Sequence, residues 1–204
     1  MNRGPIAVAI TGASGSAYAL RLIECLIEAG EVLYLMVSQA GQIVLKMESD
    51  LDLPSQPAEM QKILTRRFQA KPGQLQVFGR QQWMAPVASG SNPPSAMVVC
   101  PCTTGTLSAI ACGASNDLIE RAADVVLKER CKLILVVRET PFSDIHLENM
   151  LKLSRMGAVI MPANPGFYHN PSSVEELVDF MVSRILDQLD IEHRLMPRWG
   201  ERTD

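Results

Sequence analysis

The 204-residue sequence predicts an α/β fold: a single-domain doubly wound parallel sheet, the Rossmann or flavodoxin-like three-layer α/β/α arrangement. Three observations predict it. Strand-sized apolar runs alternate with segments whose apolar residues recur at helical spacing. Those runs are nearly continuous, as strands covered on both faces require. An apolar fraction of 47% supports one substantial core, so residues 1–204 need no second domain.

The first run, Ile6-Ala7-Val8-Ala9-Ile10, passes directly into Thr11-Gly12-Ala13-Ser14-Gly15-Ser16, and residues 17–23 follow at helical spacing. A strand, a tight turn and a helix in that order leave backbone N–H groups at a helix N-terminus, where the dipole favours an anion such as phosphate. A second strand is expected over 32–37, a short helix over 40–47, a linker over 50–60, a helix over 60–68 and a short strand over 74–78. Residues 85–95 are too rich in Pro, Gly and Ser for regular structure, and read equally as a lid or as a solvated connector. Strand 96–100 then turns through Cys100-Pro101-Cys102-Thr103-Thr104-Gly105-Thr106 into a helix of small residues, repeating the opening design. Helix 122–130, strand 132–137, helix 146–156 and strand 158–161 follow. Ser172 and Glu175 form a capping box for a closing helix with Leu177, Phe180, Met181, Ile185 and Leu186 on its apolar face. That helix and the tail, 172–204, are expected to contribute to the site or to subunit contacts.

Several chemistries are excluded. No Gly-Lys-Ser/Thr follows the first turn, so it is not a Walker A loop. The second strand ends in Ser38-Gln39 without the acid that would hold an NAD ribose. Tyr18, Tyr34 and Tyr168 lack a lysine four residues on, which removes a short-chain dehydrogenase. A net charge of −3, from 19 basic and 22 acidic residues without a dense basic run, argues against nucleic acid or an anionic membrane as partner. The apolar runs are too short to span a bilayer and no secretory signal opens the chain, so the expected location is cytoplasmic. Five cysteines in apolar or small-residue segments fit reduced core thiols, Cys100-Pro101-Cys102 lacks metal-ligand spacing, and His146, His169 and His193 are scattered, so no metal is expected.

In a parallel α/β sheet, ligands bind beyond the carboxyl ends of the strands. Residues 12–14, Ser38, residues 103–106, Arg138, Glu139 and residues 162–168 all fall at such ends and converge on one crevice. A phosphate cradle without a ribose acid, beside two hydroxyl-rich turns, suits a mononucleotide with a flat ring. FMN is the commonest such ligand, and the residues allow it without compelling it.

Five segments extend this reading to a family: Thr11-Gly12-Ala13-Ser14-Gly15, Cys100 to Leu107, Asn116 to Val125, Arg138-Glu139-Thr140-Pro141-Phe142-Ser143 and Pro165-Gly166-Phe167-Tyr168. In order and spacing, over nearly the whole chain, they resemble the flavin prenyltransferases of the UbiX type. The resemblance implies joining of a dimethylallyl group, from dimethylallyl monophosphate, to N5 and C6 of reduced FMN. It further implies delivery of the prenylated FMN to a UbiD-type decarboxylase of ubiquinone biosynthesis, and a homo-dodecamer with sites between subunits. By the same resemblance Gly12, Ala13, Ser14, Ser38, Thr103, Thr104, Gly105, Thr106 and Arg138 correspond to FMN-binding positions, and Tyr168 and Arg184 to the prenyl-phosphate pair.

Residue chemistry agrees with that assignment. Breaking an allylic C–O bond leaves a phosphate dianion and an allyl cation, which call for cations and hydroxyls on one side and an electron-rich apolar wall on the other. Arg121, Lys128, Tyr168 and Arg184 can supply the first, although surface solvation would also explain the charges on their helices. Trp83 or Trp199 can supply the wall, or else pack between subunits. Glu139, with Ser14 and Glu48 assisting, is the expected proton relay. The chain has no aspartate-rich motif of the kind that recruits Mg²⁺ to a diphosphate. An FMN-dependent decarboxylase of the phosphopantothenoylcysteine type and a non-catalytic flavin-binding subunit are the rival readings.

Overall fold

The computed structural model describes residues 4–197 and residue 200. Six strands, β1 (Ile6–Ile10), β2 (Leu33–Val37), β3 (Leu75–Phe78), β4 (Ala96–Cys102), β5 (Lys132–Val137) and β6 (Val159–Ile160), form one sheet in the order β3-β2-β1-β4-β5-β6. Every neighbouring pair is parallel. Among the described residues, seven α-helices connect or close them: α1 (Ser16–Glu28), α2 (Gln39–Glu48), α3 (Pro57–Arg67), α4 (Thr104–Ala111), α5 (Leu118–Lys128), α6 (Asp144–Arg155) and α7 (Val174–Gln188). β1 pairs with β2 on one side and β4 on the other, so the strand order reverses between β1 and β4 and leaves a crevice at their carboxyl ends.

The strand alternation divides the core. Ile6, Val8 and Ile10 face a layer containing Leu22, Leu26, Val182 and Ile185 of α1 and α7. Ala7 and Ala9 face Leu107, Ala122 and Val126 of α4 and α5, where their small side chains let the helices sit close. Each leucine or isoleucine buried in these layers contributes about 1.5–3 kcal/mol relative to exposure. Arg21 joins the helices of the first layer across the surface, its Nε donating to Asp179 of α7 at 2.7 Å.

Several boundaries differ from expectation, each for a local reason. α5 begins at Leu118 because Asp117 caps it, accepting from the Glu120 N–H at 3.0 Å. α3 begins at Pro57, whose missing N–H costs nothing in a first turn. The α7 cap lies one residue later than predicted: Ser173 Oγ accepts from the Glu176 N–H, and Glu176 accepts from the Ser172 N–H at 2.7 Å. Residues 85–95 are a docked connector rather than a free lid. A 3-10 turn, Pro86–Ala88, buries Val87 completely, and Arg121 Nε of α5 donates to the Ala88 carbonyl at 3.0 Å. Among the described residues no helix is long and apolar enough to cross a membrane.

Candidate active site

The crevice at the strand reversal is built from three corners held together by short-range contacts. The first and third are joined through Thr11, which is 2% exposed. Its hydroxyl donates to the Pro101 carbonyl at 2.7 Å and accepts from the Thr103 N–H at 2.9 Å. One side chain thereby fixes the spacing between the tips of β1 and β4. The second corner presses on the first because glycine permits it. A Cβ on Gly12 would lie 2.4 Å from that of Ala40, and one on Gly41 would lie 2.6 Å from the Ile10 carbonyl.

Two corners open helices with hydroxyl caps. Ser38 Oγ accepts from the Gly41 N–H at 2.9 Å, and Thr103 Oγ1 accepts from the Thr106 N–H at 3.0 Å. The Thr103 and Thr106 hydroxyls are 2.9 Å apart. A Cβ placed on Gly105 would meet only Thr103 Oγ1 within 4 Å, at 3.9 Å, so ligand atoms can approach the first turn of α4. Arg138 follows β5 at the same edge, its N–H bonded to the Cys102 carbonyl, with its side chain exposed. Beside it, Glu139 accepts from the Thr140 N–H at 3.1 Å.

The N-terminus of α1 differs from its expected role as a phosphate cradle. Its anion is the chain's own: Glu48, at the end of α2, accepts from the Gly15 N–H at 2.9 Å and the Ser16 N–H at 2.8 Å. Partial burial raises the pKa of Glu48, but hydrogen bonds from Ser14, Ser16 and Gly15 outweigh it and hold the carboxyl below its usual range. Ser14 therefore faces Glu48 within the first corner. The remaining donors, at Ser38, Thr103, Thr104, Thr106 and Arg138, match in chemistry the phosphate and polyol chain of FMN.

Comparison with known proteins fits this construction. Residues 1–186 match the family model named Flavoprotein. The flavin prenyltransferase UbiX of Pseudomonas aeruginosa is 59% identical over 197 residues, 97% of this chain and 94% of that protein. The chain belongs to the UbiX flavin prenyltransferase family. Two solved structures are similar throughout. A crystal structure of AnUbiX (PadA1) in complex with FMN and dimethylallyl pyrophosphate has a TM-score of 0.86 at 39% identity, covering 98% of this chain and 99% of that one. A dodecameric FMN-dependent UbiX-like decarboxylase from Escherichia coli O157:H7 has a TM-score of 0.85 at 35% identity, covering 97% and 100%.

One UbiX-family protomer gathers only part of the expected site. Gly12, Ala13, Ser14, Ser38, residues 103–106, Arg138 and Glu139 lie at the carboxyl edge of the sheet. Tyr168 lies there too, 70% exposed in the segment after β6, with its ring 6.0 Å from that of Phe180. Trp83, in the turn after β3, is 44% exposed at the same edge. Lys128 lies elsewhere. It closes α5 shortly before β5 opens at Lys132, near the amino ends of the strands, and pairs with Glu129. Arg184 is also distant, far down α7, where it pairs with Asp187. Arg121 is engaged with the Ala88 carbonyl and, at 2.7 Å, with Asp124. Trp199 lies outside the described residues.

Cys100 and Cys102 are fully buried under the crevice, where burial pushes the Cys100 thiol up and takes that of Cys102 to about 12. They serve as neutral packing groups rather than nucleophiles. Thr11 was legible only as part of the glycine motif. Its linking role has a weaker signal: a hydroxyl residue closing an otherwise apolar strand. Ala40 and Gly41 carry a small-residue signal at the start of α2, where that helix must approach β1.

Proposed function

We propose that this protein joins the dimethylallyl group of dimethylallyl monophosphate to N5 and C6 of reduced FMN, making prenylated FMN. The observation that carries this reading is the Thr11 tie, which sets two hydroxyl-rich corners side by side at the strand reversal. Reduced FMN, when bound, supplies the electron-rich N5 and C6 positions. Gly12 and Ala13 let it approach the backbone; Ser14, Ser38, Thr103, Thr104, Gly105, Thr106 and Arg138 hold and orient it. With the α1 N-terminus already engaged by Glu48, the phosphate of FMN falls to the α4 and Ser38 corners and to Arg138.

Tyr168, Arg184, Lys128 and Arg121 bind the prenyl phosphate, and Tyr168 and Lys128 stabilise the charge that gathers on it as its C–O bond breaks. Trp83 and Trp199 wall the allyl group. Glu139 accepts the proton displaced from C6, with Ser14 and Glu48 orienting the neighbouring donors. Because one protomer keeps Lys128 and Arg184 away from its own crevice, these cations act on the crevice of a neighbouring copy. The homo-dodecamer is the assembly in which that happens. We place the protein in the cytoplasm, handing its product to a UbiD-type decarboxylase of ubiquinone biosynthesis.

The test is direct. The purified protein is incubated anaerobically with reduced FMN and dimethylallyl monophosphate, and the bound flavin is examined by mass spectrometry. A flavin heavier by one C5 unit is expected. Unmodified flavin would instead leave a flavin-dependent decarboxylase, if acid substrates are turned over, or a non-catalytic flavin carrier if none is.

A further inference from the structure

α7 ends in a backbone reversal that returns the tail to the helix. Asp190 takes a left-handed conformation (φ 56°). The Asp190 N–H bonds to the Asp187 carbonyl at 3.2 Å and the Ile191 N–H to the Leu186 carbonyl at 3.0 Å, a Schellman closure. Ile191, 8% exposed, packs into the same apolar cluster as Leu186. Lys132, at the amino end of β5, secures the reversal from below by donating to the Gln188 carbonyl and pairing with Asp190 at 3.2 Å.

This reversal delivers His193 to Asp187. His193 Nε2 lies 3.1 Å from Asp187 Oδ1, with the imidazole only 14% exposed. The other carboxylate oxygen, Oδ2, accepts from Arg184 Nη1. A carboxylate oxygen can only accept, so Nε2 is the imidazole nitrogen carrying hydrogen in this contact. Asp187 is thus bridged on its two oxygens, by the closing turn on one side and by Arg184 on the other. Arg184 retains its remaining N–H groups and a side chain 53% exposed, and so can receive an anion.

We propose that Asp187 is a positioning residue for substrate binding, holding the Arg184 guanidinium in the orientation that receives the prenyl phosphate, and that His193 fixes Asp187 in turn. This rests on the reading of Arg184 as a prenyl-phosphate ligand. An i, i+3 ion pair on an exposed helix face is ordinarily weak, because both side chains must be ordered to make it. Here the ordering cost on the acid is already met by the Schellman turn and by His193. Orientation matters for arginine because its donors form a planar fork whose face and edge are not interchangeable toward phosphate.

The test is a double-mutant cycle on steady-state kinetics with reduced FMN and dimethylallyl monophosphate, with flavin retention and thermal stability measured on every variant. Asp187→Asn should raise KM for dimethylallyl monophosphate roughly five- to twentyfold and leave kcat within about twofold, the pattern of lost substrate binding. Flavin retention should not change. Arg184→Gln should raise KM further, and the double variant should match Arg184→Gln alone, because a residue acting through Arg184 has nothing left to position. His193→Gln, whose amide can still donate to Asp187, should stay within about twofold of the parent, while His193→Leu should move KM as Asp187→Asn does. The His193 pair also decides the matter should Asp187→Asn fold poorly. A normal KM in both Asp187→Asn and His193→Leu, beside a raised one in Arg184→Gln, overturns the proposal, as do additive effects in the double variant. A normal KM in Arg184→Gln instead removes the phosphate-binding reading of Arg184, and the positioning role falls with it.

Discussion

Glu48 shows how a single carboxylate can reassign a structural motif. A glycine-rich turn at a helix N-terminus is a general anion site, and here the anion comes from α2 rather than from a ligand. The cap has a pH signature. A carboxyl whose folded-state pKa lies below its unfolded pKa contributes stability above the unfolded pKa and loses it as pH falls through the folded one. Glu48→Gln keeps the shape and removes the charge. Melting temperatures should therefore show the parent above the variant at about pH 7, with the gap closing as the pH falls below the ordinary carboxylate range. A gap of constant size across that range would mean that Glu48 acts through packing and not as an ionised cap. The sequence placed Ser14 and Glu48 together as assisting residues; it did not show that they face each other across the first turn of α1, because 34 residues separate them.

Among the elements, the tips of β1 and β4 carry the architecture of the site, and one buried hydroxyl couples them. Thr11→Val is nearly isosteric and deletes two hydrogen bonds at once, leaving the Pro101 carbonyl and the Thr103 N–H without that partner. The Pro101 carbonyl keeps the Thr11 N–H at 3.3 Å, so only the Thr103 N–H is left unpaired, and the variant should lose about 1–3 kcal/mol of stability in a denaturant titration. It should also bind FMN more weakly, because the cap of α4 is no longer held against β1. Unaltered flavin affinity would show that the corners are aligned by the sheet alone. Most elements were legible from their apolar runs, since strands such as Lys132–Val137 are buried on both faces and show it in their composition. The errors gathered at helix starts. Asp117 and Pro57 extend α5 and α3 upstream of their apolar periodicity, and the paired serines 172 and 173 left the α7 cap ambiguous by one residue. Residues 85–95 allowed two readings because composition does not reveal docking. The burial of Val87 and the Arg121 bond to Ala88 distinguish them.

At the scale of the whole molecule, the proposed site draws on more than one copy. Strand order brings the corners proposed to hold the flavin together by topology alone, so their placement was readable from the sequence. The rest of the proposed site was not, because Arg184 and Lys128 lie away from their own chain's crevice, and periodicity does not encode how copies would meet. Exposed apolar side chains, Ile43 and Met47 on α2 and Ile145 and Leu151 on α6, are suitable material for such contacts. Sharing of sites predicts complementation between impaired variants, read at dimethylallyl monophosphate concentrations well below the parent's KM. Glu139→Gln damages the crevice and Arg184→Gln the reaching cation, so each homo-oligomer should form prenylated flavin slowly. Random co-assembly of the two in equal amounts leaves about a quarter of the sites with an intact crevice from one chain and an intact arginine from another, as independent pairing across a symmetric interface requires. Co-expressed, separately tagged variants, purified through both tags, should recover about that fraction of parental activity. Mixed oligomers no more active than the average of their two parents would place both residues in the service of one and the same chain's crevice.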